Sequence, residues 1–129
     1  MTKLSASDIP PDTATLRDIQ TYIAKLAKLR GYDTDVAGEM LFLTEEIGEL
    51  AKALRDFIGA QFDQKTSHKN LREELHDVLV NLLNIANLTG VDIFDAFREK
   101  ELADLSRHWQ KSPEISSQKI NSTKSKDKK

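Results

Sequence analysis

Two carboxylate pairs at i,i+3 spacing, Glu46/Glu49 and Glu74/Asp77, lie inside two apolar-periodic segments and constrain this chain more than any other feature. At about 100° per residue, helical positions three apart differ by about 60°, so each pair presents two carboxylates to one side. If the two helices pack side by side, the four carboxylates converge, with Glu45 next to them in sequence. Such a cluster of like charges is repulsive without a cation, and all-oxygen ligation suits Mg²⁺ or Mn²⁺ better than zinc. Cysteine is absent, which removes thiolate ligands and disulfides and leaves Asp, Glu and His as the available donors.

The surrounding pattern predicts an all-α chain. With 129 residues and 39% hydrophobic content, there is material for one domain with one core. Only 5 Gly and 3 Pro occur, against recurrent Leu, Ala, Lys and Glu, which favours helices over a turn-rich β architecture. A first helix is expected from Thr13 or Thr15, with Leu16, Ile19, Tyr22, Ile23, Leu26 and Leu29 at helical spacing, to a stop at Gly31. Asp33, Thr34 and Asp35 offer caps for a second helix over residues 36 to 57 or 58. Its core stripe is read as Met40, Leu43, Ile47, Leu50 and Leu54, with Phe42, Glu46, Glu49 and Ala53 on a second stripe about 120° away.

Residues 59–69 read as a polar loop, and a third helix is expected from Ser67 or His68 to a left-handed stop at Gly90. Leu71, Leu75, Leu79, Leu82 and Ala86 form its expected core stripe. Asn70, Glu74, Asp77, Asn81 and Asn84 form a stripe of acids and amides beside apolar Val78 and Ile85, which reads as a pocket wall. Asp92 should cap a fourth helix carrying Ile93, Phe94, Phe97, Leu102 and Leu105 up to about Trp109. The expected organisation is a flexible lead-in over 1–12, a four-helix bundle over 13–111, and a disordered Ser/Lys-rich tail over 112–129.

The formal net charge is -2, no run of 18 apolar residues occurs and no basic-then-apolar leader is seen, so neither a membrane span nor a signal peptide is expected, and a cytoplasmic location is the default. The tail lysines, including Lys119, Lys124 and Lys126, read as solubilising rather than as a nucleic-acid contact, because no aromatic platform accompanies them.

The segments LTEEIGELAKALRD and LREELHDVLVNLLNIANLTGVDI, with Glu46-x-x-Glu49, 24 intervening residues and Glu74-x-x-Asp77, resemble the MazG-like all-α nucleoside triphosphate pyrophosphohydrolases over residues 16 to 107. The resemblance implies a Mg²⁺-dependent enzyme that cleaves nucleoside triphosphates to monophosphate and pyrophosphate, with a role in nucleotide-pool cleaning and assembly into dimers or dimers of dimers. It implies that Glu46, Glu49, Glu74 and Asp77 hold the metal, with Glu46 and Glu49 catalytic. Glu45 matches the additional acid that precedes them, standing behind the ligands or serving as the base. On the last helix, relatives carry Lys, Asn and Arg as phosphate or nucleotide contacts, and this chain has Lys100 and Arg107 but Asp104 where Asn is usual. Asn81 stands one turn after Asp77, where some relatives carry an aromatic residue, and is expected to bond a sugar or base or to line the cleft.

Competing readings remain at this level. Acid pairs are common on solvated helix faces, and Phe42 and Trp109 read as core or subunit-interface aromatics rather than as base-stacking groups. Glu73-x-x-His76 has the spacing of a di-iron carboxylate bundle, which would need a second such motif from a partner chain. His68 and His108 fall outside the acid stripe. A non-enzymatic helical adaptor would have no use for the acids. Apolar Phe57, Ile58, Phe62, Phe94 and Trp109 exceed what one small bundle buries, so a homo-oligomer is expected. No Gly-rich phosphate loop is present and no Cys or His is placed to form a phosphoenzyme, which leaves water as the expected nucleophile.

Overall fold

The computed structural model describes residues 4–31, 35–59 and 64–107. They form a short 3-10 turn at Ala6–Asp8 and four helices, α1 Leu16–Arg30, α2 Val36–Gly59, α3 Gln64–Thr89 and α4 Ile93–Leu105. The fold is all-α. Helices α2 and α3 share the largest interface, and α1 lies against α3 and also meets α4. The last helix leaves the axis of α3 at 92°. No single helix among the described residues is long and apolar enough to cross a membrane. The expected tail, with His108 and Trp109, lies outside the described residues, as does Phe62.

Local signals set most of the helix ends. Thr15 caps α1 by accepting from the Asp18 backbone N–H while the Asp18 carboxylate accepts from the Thr15 backbone at 2.7 Å, a reciprocal pair that satisfies two otherwise unpaired donors. Those bonds hold the Asp18 carboxyl below its usual range. Gly31 and Gly90 end α1 and α3 at φ +65° and +70°, a region that side chains with a Cβ rarely enter. The Asp35 carboxylate accepts from Gly38 N–H at 2.6 Å at the start of α2, and Asp92 caps α4 through Asp95 N–H at 2.9 Å. Two boundaries differ from expectation: α4 ends at Leu105, capped by Ser106 and short of the expected end, and α3 starts at Gln64, within the segment read as a loop. Polarity alone suggested a break there, but Gln and Lys are good helix formers, and Lys69 pairs with Glu73 at 3.6 Å one turn further on.

The buried apolar centre is small: Ile23, Leu43, Ala53, Leu83 and Ala86, with Leu83 only 1% exposed. The expected core stripes are correspondingly half wrong. Met40, Ile47 and Leu54 on α2 and Leu75, Leu79 and Leu82 on α3 are all exposed. The face of α2 that packs inward is rotated toward Glu39, Leu43, Glu46 and Ala53, so the more apolar face of the hairpin is turned outward.

A polar clasp ties α1 to the corner between α3 and α4. The side-chain amide of buried Gln20 donates to the Val91 carbonyl at 2.7 Å and to Asn87 Oδ1 at 3.1 Å, and its oxygen accepts from Ile93 N–H at 3.0 Å. Asn87 returns a bond from its amide to the Gln20 carbonyl at 3.1 Å. Outside this clasp, Arg17 pairs with Asp92 at 2.8 Å and with Asp95, and lies over the Phe94 ring at 4.7 Å. The lead-in is tied to α1 through Lys25 and Asp8 at 2.8 Å.

Candidate active site

Packing α2 against α3 brings Glu46, Glu74 and Asp77 together, each offering an oxygen within 4.8 Å of the other two. The i,i+3 spacing on α3 supplies two of the three and the facing turn of α2 supplies the third. All three are half-buried. Partial burial, followed by repulsion from Asp77, Glu74, Glu45 and Glu49, pushes the Glu46 carboxyl above its ordinary value. A carboxyl raised by burial and by neighbouring acids is the electrostatic counterpart of a cation site, and the three donors are all hard oxygens.

The other expected site residues are placed differently. Glu49 is exposed one turn beyond Glu46, with Lys52 at 3.6 Å, and contributes repulsion to Glu46 without joining the three converging oxygens. Glu45 is exposed and acts on Glu46 in the same way. Asn81 lines the cavity described below. Lys100 and Arg107 both engage Asp104, Arg107 at 3.3 Å, and neither lines that cavity. Glu73 turns to Lys69 rather than to the acid cluster, while His76 Nδ1 lies 2.8 Å from Asp77 Oδ1.

A cavity of about 730 Å³ opens beside the carboxylates between α1, α2 and α3. Glu46, Asp77 and His76 line one part of it. Tyr22, Ile23, Leu26, Phe42 and Val80 form apolar walls, and Glu39, Asn81 and Asn84 supply polar groups. Phe42, read from the sequence as a core or interface residue, lies outside the core and forms a half-exposed wall of this cavity. The amide stripe of α3 forms the expected pocket wall through Asn81 and Asn84, whereas Asn70 is exposed. Glu39 escaped the sequence reading, although a signal existed: it precedes Glu46 by seven residues, two helical turns, and so shares its face.

The domain profile of the MazG nucleotide pyrophosphohydrolases matches residues 37–101, which contain both acid pairs. A dATP/dGTP diphosphohydrolase of cyanophage S-2L is 33% identical over 96 residues, spanning 74% of this chain and 79% of the relative. The chain belongs to the MazG nucleotide pyrophosphohydrolase family. The cyanophage S-2L MazG-like pyrophosphohydrolase, solved with dGDP and three catalytic Mn²⁺ ions per active site, superposes with a TM-score of 0.55 at 31% identity, covering 77% of this chain and 89% of its own. The protein is therefore a metal-binding hydrolase of phosphoric anhydrides that acts on nucleotides, and the adaptor and di-iron readings fall.

Proposed function

We propose that this MazG enzyme hydrolyses purine deoxynucleoside triphosphates to the monophosphate and pyrophosphate, using Mg²⁺, with Mn²⁺ as a substitute, and that it serves to remove nucleotides from the pool. The observation that carries the reading is the convergence of Glu46, Glu74 and Asp77 at the edge of a cavity large enough for a nucleoside. The purine preference follows the activity named for the cyanophage relative.

Glu46, Glu74 and Asp77 would hold the cation, with Glu49 joining by a rotamer change toward the cluster. A divalent cation held by these acids would offset triphosphate charge and lower the pKa of a water. The chain's own part is to hold the phosphates beside the acids and to shelter the base between Tyr22 and Phe42. Glu45, close enough in sequence to bias Glu46 and outside the converging oxygens, takes the proton from the attacking water. The pairing of Lys100 and Arg107 with Asp104 must open before either can reach a phosphate. The test is product identity with dGTP and dATP in the presence of Mg²⁺, read by phosphorus NMR. Pyrophosphate and monophosphate are expected, whereas orthophosphate and a diphosphate would overturn the assignment.

The outward apolar face supports a homo-oligomer. Met40, Ile47 and Leu54 recur every seven residues on α2, and Leu75, Leu79 and Leu82 recur at four and three on α3, giving each helix an exposed apolar stripe. Light scattering coupled to size exclusion should report a dimer or tetramer, and Ile47→Glu with Leu79→Glu should yield monomer. A monomeric wild type would refute the assembly.

A further inference from the structure

We propose that Glu39 and Asn84 read the hydrogen-bonding edge of the base and make guanine nucleotides the preferred substrates, an inference that rests on the nucleotide reading above. Both residues are more than nine-tenths buried, Glu39 at 4% exposed and Asn84 at 8%, yet both line the cavity. Their positions repeat the geometry of the metal end. Glu39 precedes Glu46 by seven residues on α2 and Asn84 follows Asp77 by seven on α3. Seven residues are two turns on the same face, a rise of about 10 Å at ~1.5 Å per residue. Two independent helices thus set a polar pair at the same distance from the acid cluster, a distance comparable with that from the α-phosphate to the far edge of a purine. Phe42 and Tyr22 stand among the walls, flat surfaces on which a base ring stacks.

The chemistry of the pair discriminates between bases. A carboxylate accepts hydrogen bonds and donates none, whereas an amide does both. Guanine presents two adjacent donors, N1–H and the N2 amine, next to the O6 acceptor, so it gives a carboxylate two bonds and leaves O6 for the Asn84 amide. Adenine would turn the N1 lone pair toward the carboxylate, and thymine has one N–H between two acceptors. Cytosine has its donor amine beside two acceptors. Guanine makes bonds to the carboxylate that the other bases cannot make, so a site of this kind separates the bases more strongly than an apolar slot does.

The experiment compares kcat/KM for dGTP, dITP, dATP, dCTP and dTTP with the full chain and Mg²⁺. Inosine keeps N1–H and O6 but lacks the N2 amine. Wild type should favour dGTP over dITP by about tenfold and over dATP by about a hundredfold, the range of one and two bonds to a charged partner. In Glu39→Gln, the dGTP/dITP difference should vanish and the dGTP/dATP ratio should collapse, because an amide can donate to adenine N1. Equal turnover of dGTP and dITP by wild type, a preference for dATP, or an unchanged ratio in the variant would overturn the assignment of Glu39 while leaving the hydrolase reading intact. Turnover of no nucleotide at all would instead overturn that underlying reading and this inference with it. The wild-type dGTP/dITP ratio requires no variant, so a misfolded Glu39→Gln would not remove the test.

Discussion

The two polar centres of this fold, the acid cluster between α2 and α3 and the Gln20 clasp at the α3–α4 corner, are built on opposite principles. In the clasp every partner is complementary: the Gln20 amide meets two acceptors, its oxygen meets a backbone N–H, and Asn87 closes the ring of bonds. In the cluster, Glu46, Glu74 and Asp77 are all acceptors of the same charge, held within 4.8 Å by packing that the rest of the molecule must sustain. The clasp stabilises the protein alone. The cluster carries repulsion that a cation would offset, as expected where local consistency is given up for chemistry. The difference separates mutations that should harm activity from mutations that should harm the fold.

The largest expected effect is on turnover. Glu46→Gln or Asp77→Asn removes a carboxylate from the cluster, and the loss of several kcal/mol of transition-state stabilisation corresponds to roughly a thousandfold or more in kcat/KM. The same variants should melt higher than wild type without metal, because repulsion is relieved, and gain less from added Mg²⁺. Steady-state kinetics with thermal melts in chelator and in Mg²⁺ would check all three. A variant that is fully active, or one that is inactive because it is less stable without metal, would erase the contrast between the two centres.

Next comes the clasp. Gln20→Ala strands the Val91 carbonyl, the Ile93 N–H and one bond of Asn87 in a partly buried corner, and should cost about 2–3 kcal/mol in urea unfolding. Metal affinity, measured by calorimetry, should be nearly unchanged, because the Gln20 bonds run to the α3–α4 corner and not to the acids. A large loss of metal affinity without a loss of stability would show that the clasp is part of the site.

Much of the fold could be read from the chain because its signals are local. Thr15, Gly31, Gly90 and Asp92 mark helix ends by chemistry confined to a few residues, and they stand where that chemistry requires. The convergence of Glu74 and Asp77 was readable for the same reason, since i,i+3 spacing on a helix fixes direction. What could not be read depends on which way a helix is turned. Met40, Ile47, Leu75 and Leu79 follow a core period yet face outward, because periodicity identifies an apolar face without saying whether its partner is the same chain or another. Glu49 satisfies the spacing but falls on the exposed edge of the turn, and Gln20 hides among the apolar positions of α1 because its partners are 67 to 73 residues away. Long-range polar pairing has no period.

The smallest expected effect is a pH dependence that has opposite signs in the two kinds of polar site. Burial and neighbouring acids raise the Glu46 carboxyl above its ordinary value, so between the unfolded value near 4.5 and the raised folded value the native state binds more protons than the unfolded state. Stability without metal should therefore fall as pH rises through that window. The Asp18 and Asp92 carboxyls, lowered by backbone N–H bonds and, for Asp92, by Arg17, work the other way. Their contribution is present above the ordinary carboxylate range and is lost as pH falls below it. Metal-free denaturation curves from pH 4 to 7 on wild type and Glu46→Gln isolate the first effect as the difference between the two. The variant should lack the decline, and added Mg²⁺ should reverse it in wild type, because the cation competes with the proton for the same oxygens. Parallel curves for the two proteins would mean that the cluster is relaxed in solution and that the carboxylates part when no cation holds them.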